Sequence, residues 1–141
     1  MNNLMLEGFP LITFDKIRYA DTDRQGHVNN ANFASFLETG RVELLYSQVL
    51  PVLSDGASFV LASLSLNFLK EIVWPGQVDI GTGILRVGNS SIRIYQKLYQ
   101  NHICVADAET TIVQVDNASG QAKPLSVEAK NVLAGFMLRD L

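Results

Sequence analysis

The segment Arg18-Tyr19-Ala20-Asp21-Thr22-Asp23-Arg24-Gln25-Gly26-His27-Val28-Asn29-Asn30-Ala31 gathers two carboxylates, an imidazole, a glycine and two asparagine amides. Carboxylates act as nucleophiles or general bases, and imidazole gains and loses a proton near neutral pH, so the grouping suits acid–base and acyl-transfer chemistry. A metal site built from Asp21, Asp23 and His27 is the weaker reading. His102 is the only other histidine, and two aspartates give a hard cation too few oxygens. Aspartate and asparagine also stabilise turns through their own backbone; that structural role is assigned to Asp21.

Asp23 lies seven residues before Asn30, where the polar loop gives way to a helical pattern. A helix start presents unpaired N–H groups and a partial positive charge. A carboxylate facing such an end across a gap can attack an acyl carbon or activate water while the N–H groups stabilise the oxyanion. Spacing alone allows this arrangement without requiring it. Asn29 and Asn30 are both suited to cap the helix.

Thr13 to Tyr19 is expected to form a strand and Ala20 to Asn30 a loop. The helix is predicted over Asn32 to Leu50, with Phe33, Phe36, Leu37, Gly40, Leu44 and Leu45 at helical spacing and Pro51 as its stop. Gly40 in mid-helix costs about 1 kcal/mol against alanine, which points to close approach by a sheet. Four further strands are predicted: Ser58 to Val73, Gln77 to Val87, Ser91 to Gln100 and Ile103 to Val115. The Trp74-Pro75-Gly76 turn separates the first pair, Gly88-Asn89 forms a hairpin, and Leu125 to Leu141 is expected to be a terminal helix. The order β-α-β-β-β-β-α describes one α+β domain over residues 1–141, an antiparallel meander whose apolar face the early helix covers.

Composition narrows the classes. The chain of 141 residues is 48% hydrophobic and 18% charged, with eleven basic and fourteen acidic residues and a net charge of −3. Nothing in that balance suggests nucleic acid as a partner. No apolar run approaches the ~18 residues that span a bilayer, and the first nine residues lack the basic start of a signal peptide. With Cys104 as the sole cysteine, no internal disulfide forms, and a cytoplasmic address is expected. Cys104 itself is expected to be a small buried side chain within a strand.

Asp-x-Asp-x-x-Gly-His-Val-Asn-Asn-Ala followed by an aromatic-rich helix resembles the hotdog-fold thioesterases, nearest the 4-hydroxybenzoyl-CoA thioesterase-like acyl-CoA hydrolases. Phe36-Leu37-Glu38, Arg41, Trp74-Pro75-Gly76 and Gly88-Asn89-Ser90-Ser91 extend the similarity over nearly the whole chain. The resemblance implies a five-stranded antiparallel sheet wrapped around a long central helix, hydrolysis of an acyl-CoA to free acid and CoA, and no cofactor. It implies that Asp23 is the catalytic carboxylate, as nucleophile or general base, and that the Asn30 N–H faces the thioester oxygen. Gly26 would let the loop approach the acyl group, and Asn29 is divided between helix cap and site residue. The Gly-His-Val-Asn-Asn form also resembles acyl-carrier-protein thioesterases, which makes His27 a candidate for proton transfer as much as for a structural loop histidine. Ser90 and Ser91 stand where related enzymes hold CoA phosphates with basic residues; here no positive charge is present in the turn, with Arg86, Arg93 and Lys97 nearby. Phe33, Phe36, Phe59 and Leu61 are candidates for an acyl tunnel or for plain core, and Glu38 is read as a helix-stabilising partner of Arg41. The site in this family forms between subunits, so a homodimer or homotetramer joined through the sheet is expected. The alternatives are an acyl-carrier-protein thioesterase and a non-catalytic acyl-binding protein.

Overall fold

The computed structural model describes residues 3–139. Five strands form one antiparallel sheet: β1 (Leu11–Lys16), β2 (Ala57–Phe68), β3 (Gln77–Val87), β4 (Ser91–Gln100) and β5 (Ile103–Asp116), in the spatial order β1-β3-β4-β5-β2. Helix α1 (Asn30–Leu45) lies against one face, and a short α2 (Val127–Ala134) follows the sheet.

Alternation within the strands builds the cup that holds α1. Ile92, Ile94, Gln96 and Leu98 of β4 are fully buried, and their cross-strand partners include Ile84, Thr82 and Ile80 of β3. These residues meet the helix stripe Phe33, Phe36, Leu37, Leu44 and Leu45. The contact is tightest at Gly40, where a Cβ would come within 2.7 Å of Gln96 Nε2, Ile80 Cγ2 and Thr82 Oγ1. Here glycine is required by space, as its mid-helix position suggests. Part of the other face of the sheet is covered by residues before β1 and after α2: Leu4, Leu6, Phe9 and Leu138 pack on Tyr95 and Tyr99.

The hairpin strands β3 and β4 have the bounds predicted for them; other elements differ in instructive ways. Helix α1 stops at Leu45, because Ser47 Oγ accepts hydrogen bonds from the N–H groups of Val49 and Leu50 and draws the chain into a turn ahead of Pro51. The terminal helix is only eight residues long, Ser126 capping it and Gly135 following it. Phe136 to Leu138 then join the edge of a bulge in β3, with Ile84 N–H donating to Phe136 O and Leu138 N–H to Ile84 O; the final two positions of the predicted helix lie outside the described residues. β1 ends at Lys16, and Tyr19–Asp21 forms a 3-10 turn instead of more strand.

The largest difference from a simple meander concerns β2. It pairs with β5, at the opposite side of the sheet from β1, and the strand ends at Phe68. The N–H groups of Leu69 and Lys70 both donate to Val105 O, at 2.9 and 3.1 Å, and turn the chain out of the sheet. Residues 69–76 then cross toward β3, where Gln100 at the end of β4 accepts from Val73 N–H at 3.0 Å and donates to Val73 O at 2.7 Å. This crossing brings a second segment alongside the Asp23 loop. No helix among the described residues is long and apolar enough to cross a membrane.

Candidate active site

The loop between β1 and α1 is folded on itself before anything else touches it. Asp21 is buried; its Oδ2 accepts from Arg18 N–H at 2.8 Å and its Oδ1 from Arg18 Nη2 at 2.9 Å. Burial pushes the Asp21 carboxyl up, but the side-chain and backbone hydrogen bonds from Arg18, with its charge, hold it below its ordinary range. Its backbone carbonyl accepts from Asn29 N–H at 2.8 Å and from Asn32 Nδ2 at 3.0 Å, fixing the helix start. The structural role expected of Asp21 is what it performs.

Asp23 stands differently. Its Oδ1 accepts from the N–H groups of Gln25 at 2.8 Å and His27 at 3.1 Å, while its N–H donates to His27 O at 2.8 Å. Gly26 supplies the positive φ, 78°, that this tight return requires. Oδ2 carries no hydrogen bond among the described residues. The carboxylate is thus both a turn former and a side chain with one oxygen held and one available.

Asn29 caps α1, its Oδ1 accepting from Ala31 N–H at 3.0 Å. Asn30 is the first helical residue, and its N–H has no acceptor among the described residues. Asp23, His27, Asn29 and Asn30 line one cavity of about 370 Å³, with Phe33 and Phe68 as apolar wall. Those two rings meet edge to face at 5.0 Å.

The rest of the wall comes from the β2–β3 crossing, whose contribution the sequence did not disclose. Lys70 and Glu71 line the same cavity. Val28 N–H donates to Ile72 O at 2.8 Å and Trp74 N–H to Gly26 O at 3.1 Å, so backbone bonds zip the crossing to the loop. This register sets Glu71 Oε2 3.0 Å from His27 Nδ1. That contact fits Nδ1–H donating to Glu71, which leaves Nε2 as the nitrogen able to accept or give a proton. Glu71 lies 44 positions beyond His27. Only the Lys70-Glu71 pair of charges ahead of the Trp74-Pro75-Gly76 turn marked it, within an otherwise apolar run.

Other candidates are placed elsewhere. Gly26 shapes the loop but does not line the cavity. Ser90 and Ser91 lie at the start of β4, whose ten residues separate them from the Gln100 end by about 30 Å, so they share no cavity with Asp23 of the same chain. Of the cations near that hairpin, Arg93 is paired with Glu109 at 2.5 Å, and Lys97 is buried with its Nζ donating to Leu4 O at 2.9 Å. Phe36 is buried on a second side of α1. Phe59 and Leu61 line a smaller cavity of about 100 Å³ toward the C-terminal half of α1, beside Tyr46 and Arg41. Glu38 forms no ion pair with Arg41 among the described residues. Arg41 instead turns under the helix, 8% exposed, and donates to Gln96 Oε1 at 3.4 Å; burial lowers its pKa, partly offset by the charge of Glu38. Burial likewise pushes the Cys104 thiol up, which suits an inert side chain.

Comparison with known proteins gives the family and the fold. Residues 17–134 match the model of the thioesterase-like superfamily, and the chain belongs to that family. It is 27% identical over 126 residues to the acyl-CoA thioesterase YbgC of Helicobacter pylori, covering 89% of this chain and 84% of that protein. A thioesterase from Thermus thermophilus, solved in complex with coenzyme A and Zn, is 28% identical with a TM-score of 0.80, covering 96% of this chain and 99% of that one. The PA5185 protein of Pseudomonas aeruginosa shares the fold, with a TM-score of 0.84 at 22% identity over 95% of this chain and 96% of its own. The sheet-around-helix architecture is that of the hotdog thioesterases.

Proposed function

We propose that the protein hydrolyses an acyl-CoA to the free acid and CoA, with Asp23 as the carboxylate that attacks the thioester or activates water. One observation carries the reading: Asp23, with Oδ2 available, shares a cavity with the unpaired N–H of Asn30 at the start of α1. A thioester carbonyl between them has an oxyanion donor on one side and a nucleophile or base on the other. The water route transfers a proton to Asp23, and the direct route forms a mixed anhydride that water then opens. In either route the departing thiolate needs a proton, which His27 can relay while Glu71 holds its ring. Glu71 acts through His27 and is a positioning residue. Asn29 holds the helix start, and Phe33 and Phe68 receive the first part of the acyl group.

The family favours assembly of two or more copies, and the exposed apolar edge of β2 supports that reading. A cytoplasmic address fits the single cysteine. An acyl carrier protein as thiol donor is the second reading; such carriers are acidic and call for a basic rim, which a chain of net charge −3 favours less.

The test is thiol release from a panel of short, long and aromatic acyl-CoAs. Asp23→Asn is expected to lower kcat by about 10³-fold, within the range for loss of a positioned base, with an unchanged circular dichroism spectrum. Glu71→Gln should lower kcat by a smaller factor. Full activity in Asp23→Asn sinks the mechanism, and release from acyl carrier protein alone promotes the second reading.

A further inference from the structure

The hairpin at Gly88-Asn89-Ser90-Ser91 offers no cation and stands at the far end of β4 from Asp23. The cations beside the cavity are elsewhere. Lys70 is the one lysine or arginine among the residues lining it. Its position is fixed by the two N–H bonds to Val105 O that end β2, yet its ammonium forms no ion pair among the described residues. Arg24, next in the chain to Asp23, is exposed and likewise forms none. Next to Val73, which bridges His27, Trp74 and Tyr19 present an edge-to-face pair, centroids 5.3 Å apart. Trp74 is 40% and Tyr19 71% exposed, and the Trp74 N–H donates to Gly26 O.

We propose that Lys70 and Arg24 bind the phosphate that ends the pantetheine arm of the thiol carrier, and that Tyr19 and Trp74 receive the adenine when the carrier is CoA. The inference rests on the acyl-thioester reading. Charge gives the orientation: Asp23 and Glu71 repel a phosphate from the cavity, while Lys70 in its wall and the exposed Arg24, next in the chain to Asp23, attract it, so the thioester enters first and the phosphate stays outside. Lysine suits this task, since its ammonium is a compact charge on a long stem that meets a phosphate without a fixed approach. The flat faces of exposed aromatic rings stack on nucleobases without further geometry.

Binding to the full chain is measured by calorimetry with CoA, 4′-phosphopantetheine and pantetheine, none of which needs turnover. The wild type is expected to bind the two phosphate-bearing compounds about tenfold tighter than pantetheine, the equivalent of one charge-assisted contact. Lys70→Glu should bring the ratio to about one, Arg24→Glu should reduce it, and added salt should shrink it. Equal affinities in the wild type, or a ratio that neither variant moves, overturn the proposal. Trp74→Ala should weaken CoA and spare phosphopantetheine; loss of both or of neither overturns the adenine assignment and leaves a carrier protein as the phosphate's source. Phosphate-selective binding without thiol release would fail the catalytic reading alone, and thiol release without selectivity would fail this one alone.

Discussion

Asp21 and Asp23 are two residues apart and chemically unlike. Asp21 is enclosed by Arg18 and by the backbone it supports, whereas Asp23 keeps one oxygen open to a cavity. The folded-state pKa of Asp21 lies below its ordinary value of 3.8, so its charge stabilises the fold above that pH, and the benefit disappears as pH falls through the lower folded value. Asp21→Asn should therefore cost about 1–2 kcal/mol in urea unfolding near neutral pH, a deficit that closes in acid. A deficit that grows in acid would contradict the pairing. That a loop carboxylate precedes a helix start was legible from spacing, which allowed the open placement of Asp23 without requiring it. The His27–Glu71 contact was not, since nothing in residue type says which glutamate crosses a loop 44 positions away.

At the scale of elements, α1 is positioned by what it lacks. Gly40→Ala gains about 1 kcal/mol of helix propensity but sets a Cβ 2.7 Å from three atoms of the sheet, and overpacking of that kind costs about 1–3 kcal/mol. The variant is expected to melt below the wild type, and a higher melting temperature would refute the close approach. Period-2 alternation and a Gly-Asn turn defined β3 and β4 to the residue. The ends of β2, α1 and α2 escaped prediction because hydrogen bonds accepted by Ser47 Oγ and Val105 O, and pairing of the C-terminal segment with Ile84, override the apolar pattern there.

For the whole molecule, the two sheet edges are unequal. β1 is short, whereas β2 runs for twelve residues and leaves Val60, Leu61 and Phe68 exposed by 42%, 55% and 51%. A long apolar edge is a template for pairing with another chain. Leu61→Lys should lower the mass seen by sedimentation velocity with little change in monomer stability, since the side chain is exposed; a monomeric wild type would remove the edge as an interface.

The sequence by itself determined the chemistry on offer and the element carrying it: a carboxylate before a capped helix start, a glycine-relieved helix and a sheet to enclose it. Those features are local, set by spacing, turn residues and side-chain periodicity. Tertiary structure alone decided that Lys70 and Glu71 join Asp23 while Ser90 and Ser91 of the same chain do not, and that β2 becomes an edge. These outcomes depend on a crossing segment whose register is fixed by backbone hydrogen bonds between distant parts of the chain, and backbone groups are the same in every residue that could have taken those places.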